Sequence, residues 1–218
     1  MEKISYDTED GVEIFGDYFA VEEPKAFALL LHMMPATKES WQAFAAELQN
    51  RGIASLAIDE RGHGESTMDG ALLYANFTDE DQQNKIIDVR DGLKWLANNH
   101  GATDANTVVV GGSIGANLTI QILSERHDLK LGVALSPGLD YRGIKTDELI
   151  KNIADDQMLL LIASDDDKGS FDSIQTLAGL KPDQCELVKE SGIGHATAML
   201  EKKLELVKDI ADWIESKM

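Results

Sequence analysis

A chain of 218 residues, 43% hydrophobic and 27% charged, has the composition of an ordinary globular protein and the length to bury one large core, which excludes a disordered or fibrous class. Its 39 acidic against 20 basic residues leave a formal charge of −19, a field that repels phosphate backbones and argues against nucleic acid as a partner. No apolar run approaches the ~20 residues of a membrane span, Met1–Asp7 carries no apolar leader, and the single Cys185 rules out an internal disulfide or a cysteine-based zinc site, so a metal-free cytoplasmic protein is expected.

The predicted elements alternate in type along the chain. Lys3–Asp7 and Val12–Val21 read as an early antiparallel pair, and Ala26–His32 as a buried strand. Lys38–Asn50 reads as a helix because Trp41, Phe44, Ala45 and Leu48 share one face and Gly52 follows. After the strand Ile53–Ile58 comes one long helix, Asp79–Asn99, with Ile86, Val89, Leu93 and Leu96 inward and Gly101 behind it. Then follow strand Thr107–Gly111, helix Ile114–Arg126 and strand Leu131–Leu135. A short helix near Asp147–Ala154, strand Met158–Ala163, helix Phe171–Leu177 and strand Cys185–Lys189 continue the alternation. A last helix spaces Leu200, Leu204, Val207, Ala211 and Ile214 along one stripe. The pattern predicts a single domain over residues 1–218: an α/β fold with about eight strands, mostly parallel, and helices on both faces.

In open sheets of this kind ligands bind beyond the carboxyl ends of the strands, so the loops that follow strands hold the candidates. Gly111-Gly112-Ser113-Ile114-Gly115 stands between a Val-rich strand and a helix, a Gly-x-Ser-x-Gly turn in its strand–turn–helix context. A strand that turns at once into a helix brings the two close together, and only small residues fit two positions either side of the pivot. Such a turn lifts the Ser113 hydroxyl clear of the sheet and sets the Ile114 N–H beside it. The competing reading is a glycine-rich turn with Ser113 as an ordinary helix cap.

A serine hydroxyl needs a base. Among five histidines, His195 lies in the flexible Gly192-Ile193-Gly194-His195-Ala196 turn after the last strand, at the same edge as Ser113. His100 and His127 fall at helix ends and are expected on the surface. An orienting carboxylate is expected from the acids that follow Leu159–Ala163, namely Ser164-Asp165-Asp166-Asp167, and charge alone does not choose among them. A second oxyanion donor is expected after Ala26–His32, in Met33-Met34-Pro35; Pro35 has no N–H, which leaves the Met34 N–H as the candidate.

With these loops in this order, the chain resembles the α/β-hydrolase family from about Val12 onward. Asp59-Glu60-Arg61-Gly62-His63-Gly64-Glu65-Ser66 is similar to that family's Asp-x-Arg-Gly-x-Gly-x-Ser turn, which makes Asp59, Arg61 and His63 scaffold. His32-Met33-Met34-Pro35 is similar to its His-Gly-x-Pro oxyanion segment, with Met33 in place of Gly. Ser164-Asp165-Asp166-Asp167 resembles its Gly-x-x-Asp segment, with Ser164 in place of Gly, and the match selects Asp167 over Asp166. Only 22 residues separate Leu135 from Met158, where members with a lid insert it, so the resemblance is to compact, lidless members of the carboxylesterase-like and dienelactone-hydrolase-like kinds. Members of the latter kind carry Cys where this chain has Ser113.

The resemblance implies a serine hydrolase that cleaves small carboxylic esters through an acyl-enzyme, with no cofactor, on a small-molecule partner. A thioesterase, amidase or C–C bond hydrolase shares every one of these motifs, and a ligand-binding member that has kept the fold without the chemistry is the rival from another class. The expected pocket lining is Met33, Met68, Leu72, Tyr74 and Met199.

Overall fold

The chain opens with two antiparallel strands, β1 (Glu2–Asp7) and β2 (Glu13–Phe19), in register from Glu2 opposite Tyr18 to Asp7 opposite Glu13. Strand β3 (Ala26–Leu31) is followed by one 3₁₀ turn, helix α1 (Gln42–Asn50) and strand β4 (Ile53–Ile58). The helix expected over 38–50 is therefore a 3₁₀ entry plus a shorter α-helix. Its inward face is as read, with Trp41, Phe44, Ala45 and Leu48 all buried. Each such large side chain contributes about 1.5–3 kcal/mol by leaving water.

The long helix expected over 79–99 is two helices, α2 (Asp79–Gln83) and α3 (Lys85–His100). Thr78 caps the first: its Oγ1 accepts from Asp81 N–H, and the Asp81 carboxylate accepts from Thr78 N–H in return. Residues 79–84 carry no apolar side chain to extend the buried stripe of α3, and Gln82 is their one buried residue. Strand β5 (Thr107–Gly112), helix α4 (Ile114–Glu125) and strand β6 (Leu131–Leu135) follow closely as expected. A small hairpin that the sequence reading did not contain, β7 (Asp140–Tyr141) and β8 (Ile144–Lys145), precedes the short helix α5 (Thr146–Leu149).

Strand β9 (Met158–Ser164), helix α6 (Lys168–Leu180) and strand β10 (Cys185–Glu190) complete the sheet. The last expected helix is again two, α7 (Thr197–Lys202) and α8 (Leu204–Lys217). Lys203 between them is extended, with its Nζ on Glu190 at 2.8 Å. That break turns Leu204, expected inward, out to 64% exposure.

All residues, Met1–Met218, are described by this computed structural model. The eight long strands form one sheet in the order β1-β2-β4-β3-β5-β6-β9-β10. Strand β2 runs antiparallel to its neighbours, and β4, β3, β5, β6, β9 and β10 are mutually parallel. Alternate side chains of β3 divide between two cores: Leu29 and Leu31 pack toward α3, α4 and α6, whereas Ala28 and Leu30 pack toward α1 and α8. Covered on both faces, β3, β4 and β5 are buried throughout, which is why they read as continuous apolar runs. The strand order reverses direction between β3 and β5, and the loops leaving their carboxyl ends carry Met34 and Ser113. No lid domain stands over this edge, and no helix is long and apolar enough to cross a membrane.

Candidate active site

Ser113 is the pivot between β5 and α4, with φ 54° and ψ −116°, a backbone geometry that L residues rarely adopt. The flanking glycines explain how the turn closes. A Cβ on Gly111 would sit 2.0 Å from the Gly115 carbonyl oxygen, and a Cβ on Gly115 would sit 2.6 Å from the Leu31 carbonyl oxygen. The Ser113 N–H is tied to the Leu135 carbonyl at 2.8 Å, and the Ser113 carbonyl accepts from Ala116 N–H at 2.9 Å. Ile114, first residue of the helix, donates its N–H to no group in the protein and lies beside Ser113 in the cavity wall.

The second backbone N–H comes from the loop after β3. Buried His32 accepts at Nε2 from Glu60 N–H at 3.1 Å, so its proton is on Nδ1, which lies 3.0 Å from the Met33 carbonyl oxygen. That bond fixes the peptide plane whose N–H belongs to Met34, and in a trans peptide the N–H points opposite the carbonyl. Met33, in the place of a family glycine, is accommodated half-buried. Met34 lines the same cavity as Ser113.

The three acids after β9 are sorted by geometry. Asp165 accepts from Gly192 N–H at 3.0 Å and Asp166 from Gly194 N–H at 3.0 Å, so both brace the loop that carries His195. Ser164, the second departure from the family pattern, holds that loop too, its Oγ accepting from Ile193 N–H at 3.0 Å. Asp167 alone meets the imidazole, with Oδ2 2.6 Å from His195 Nδ1. A carboxylate only accepts, so Nδ1 carries the proton and Nε2 is the free nitrogen. Burial raises the Asp167 pKa, but the His195 bond and the hydroxyls of Ser170 and Ser136 outweigh it and hold the carboxyl below its usual range.

Ser113 and His195 face each other across one cavity of about 400 Å³, without a direct hydrogen bond between them. Ile114 and Met34 form one side of it and the hairpin residues Asp140, Tyr141 and Arg142 the other. The five side chains expected as lining are elsewhere. Met199 is buried in the α1–α8 core. Met68 lies on the far side of the β4 loop, its sulfur accepting from Glu13 N–H. Tyr74 stacks on His63 at 4.2 Å, and Leu72 and Met33 are not in the cavity wall. The hairpin was missed although its signal is in the sequence: Asp140-Tyr141-Arg142-Gly143 is an Asp-to-Gly turn, with Asp140 Oδ1 accepting from Gly143 N–H at 2.8 Å and Gly143 at φ 85°.

The scaffold residues are where expected. Asp59 accepts from Lys38 N–H and Nζ at 2.9 and 2.6 Å, Arg61 reaches Asp88 and Asp10, and His63 is buried 3.0 Å from Lys85 Nζ. His100 and His127 are exposed.

Comparison with known proteins supports the same assignment of fold. An esterase of Pyrococcus furiosus superposes with a TM-score of 0.79 at 21% identity, over 100% of this chain and 91% of that one. A dienelactone hydrolase from Anabaena variabilis gives 0.81 at 15% identity, over 99% and 96%. Est1E from Butyrivibrio proteoclasticus, solved with ferulic acid bound, gives 0.81 at 16% identity, over 98% of each chain. No curated protein matches the sequence. The family model described as serine aminopeptidase, S33, matches residues 22–167, about two-thirds of the chain and including the Ser113 and Asp167 loops. The chain therefore belongs to the family described as serine aminopeptidase, S33, and has the α/β-hydrolase fold without a lid domain.

Proposed function

We propose that the protein is a serine carboxylesterase acting on small esters, with Ser113 as nucleophile, His195 as general base and Asp167 as the residue that orients and charges-compensates the imidazole. The observation that carries this reading is the 2.6 Å bond from His195 Nδ1 to Asp167, which frees Nε2 on a cavity wall that also presents Ser113. His195 Nε2 takes the proton of the Ser113 hydroxyl as Oγ attacks the ester carbonyl. The oxyanion is met by the N–H groups of Ile114 and Met34, and loss of one such donor typically costs about 10²–10³ in rate. The alcohol leaves with the proton from His195. Water, deprotonated by the same nitrogen, then cleaves the acyl-enzyme and releases the acid.

A cavity of about 400 Å³, walled partly by the polar hairpin residues Asp140 and Arg142, suits short acyl groups better than long ones. The half-buried free thiol of Cys185 accords with a reducing, cytoplasmic setting. An amide or peptide substrate is the second reading, favoured by the family's description as serine aminopeptidases.

Hydrolysis of p-nitrophenyl acetate, butyrate and octanoate, together with an aminoacyl p-nitroanilide, tests the proposal. Wild-type turnover of the acetate and butyrate that vanishes in Ser113→Ala is the expected result. Ester turnover that survives in Ser113→Ala overturns the nucleophile, and turnover of the anilide alone selects the amide reading.

A further inference from the structure

Besides Arg142 in the hairpin turn, three residues other than glycine near the cavity sit in left-handed backbone geometry in the connections of the large sheet: Ser113 (φ 54°), Ser136 (φ 53°) and Ala196 (φ 49°). The first is the nucleophile turn and the third directly follows His195. Ser136, the residue after β6, has no part in the mechanism above. It is wholly buried, and its N–H is anchored on the Ile162 carbonyl of β9 at 2.7 Å. A turn that needs only a positive φ is made more cheaply by glycine, so a side chain retained there at the expense of strain calls for a reason.

The reason is in its contacts. Ser136 Oγ accepts from the Ala196 N–H at 2.9 Å, a buried donor with no other partner. Its carbonyl accepts from Ser170 Oγ at 3.2 Å, and Ser170 in turn lies 3.1 Å from the hydroxyl of Tyr141 in the cavity wall. The peptide just before it, through the Leu135 carbonyl, holds the Ser113 N–H. One residue thus stands among the nucleophile turn, the base loop and the first turn of α6, which begins next to Asp167.

We propose that Ser136 is a positioning residue for His195: its hydroxyl holds the Ala196 N–H directly behind the imidazole while its carbonyl ties the same turn to Ser170 at the start of α6, so that the imidazole keeps one geometry between Ser113 and Asp167. This rests on the reading of Ser113, His195 and Asp167 as a hydrolytic triad. Without the hydroxyl, Ala196 N–H is left buried and unpaired, and the loop carrying His195 moves to find a partner. The imidazole is then less often in line with Ser113, which lowers kcat more than it changes KM.

Ser136→Gly is the informative variant, because it removes the hydroxyl while relieving the strained φ; Ser136→Ala removes the hydroxyl and keeps the strain. Two readouts are taken on each: kcat and KM for p-nitrophenyl acetate, and hydrogen exchange of the Ala196 amide by NMR. The expected result is a kcat reduced up to about 100-fold in both variants with KM little changed, and faster exchange at Ala196 in both. A residue that merely filled space would lose activity in the Ala variant in step with stability and recover it in Gly. Wild-type kcat with unchanged Ala196 exchange in Ser136→Gly overturns the proposal. Faster Ala196 exchange in a protein whose wild type turns over no ester keeps the contact and overturns the hydrolase reading instead.

Discussion

Two acidic turns leave the carboxyl edge of the same sheet, Asp59–Ser66 after β4 and Ser164–Asp167 after β9. In the first, every charge meets a fixed opposite charge. Asp59 is held by Lys38, Arg61 spans Asp88 and Asp10, and Glu60 lies 3.1 Å from Lys85. Burial disfavours the Lys38 ammonium, but Asp59 and Glu65 hold its pKa above the ordinary value. The turn is a frame, and it is also closely packed: a Cβ on Gly64 would fall 2.1 Å from an Asp59 oxygen. In the second turn two acids accept from backbone N–H groups, and the third faces an imidazole rather than a permanent cation. The partner decides the role. An acid opposite a permanent cation builds structure, whereas an acid opposite an imidazole on a cavity wall is equipped for proton transfer.

That contrast is open to test, most sharply within the second turn. Asp167→Asn is expected to lower kcat by about 10⁴ by destabilising the working tautomer. Asp166→Asn, whose amide oxygen still accepts from Gly194, is expected to change kcat far less. Steady-state turnover of p-nitrophenyl acetate compares them, and equal losses would erase the distinction between bracing and orienting acids.

In the first turn the effect belongs to stability. Lys38→Met leaves Asp59 buried without its cation and is expected to cost about 3–5 kcal/mol. Urea denaturation measures the loss, and kcat per folded molecule is expected to stay at the wild-type level. A variant of normal stability with impaired kcat would place Lys38 in the chemistry rather than the frame.

The smallest effect is a slope. Burial, with help from Lys85 and His32, pushes the His63 pKa down from 6.5 to about 2. Below pH 6.5 the unfolded imidazole binds a proton that the folded one refuses, so stability falls as pH falls, by up to about 1.4 kcal/mol per pH unit. Asp167, with its folded pKa lowered, adds a loss of the same sign further down, through the carboxylate range. Urea midpoints at pH 7, 6 and 5 are expected to fall less steeply in His63→Gln than in wild type; identical slopes would show that His63 is not held neutral by the fold.

Much of this architecture was legible along the chain because its signals are local. The eight strands of the sheet were found within two residues at their ends, and the inner ones are plainest because strands covered on both faces must be apolar throughout. The Ser113 turn was legible because steric crowding between β5 and α4 demands small residues at 111 and 115. The helix break at Lys203 was not, because apolar spacing continues across it while the axis does not, and the break at Asn84 was not, because the all-polar stretch 79–84 has no apolar period from which a change of axis could be read. The pocket was misread for a related reason: a methionine carries no mark that says core or cavity, so Met199 was expected where Tyr141 and Arg142 stand.

By itself, then, the sequence determined the order of elements, the edge at which the loops gather, and the residue types able to act there, all of which follow from side-chain periodicity and backbone sterics. Tertiary structure decided which of three adjacent acids meets His195, which side chains wall the cavity, and why a buried serine after β6 keeps a strained backbone. Those choices depend on hydrogen bonds between loops that are 28 residues apart for Asp167 and His195, and 60 apart for Ser136 and Ala196. No local pattern encodes them, because each donor finds its acceptor only after the sheet has brought the strand ends together.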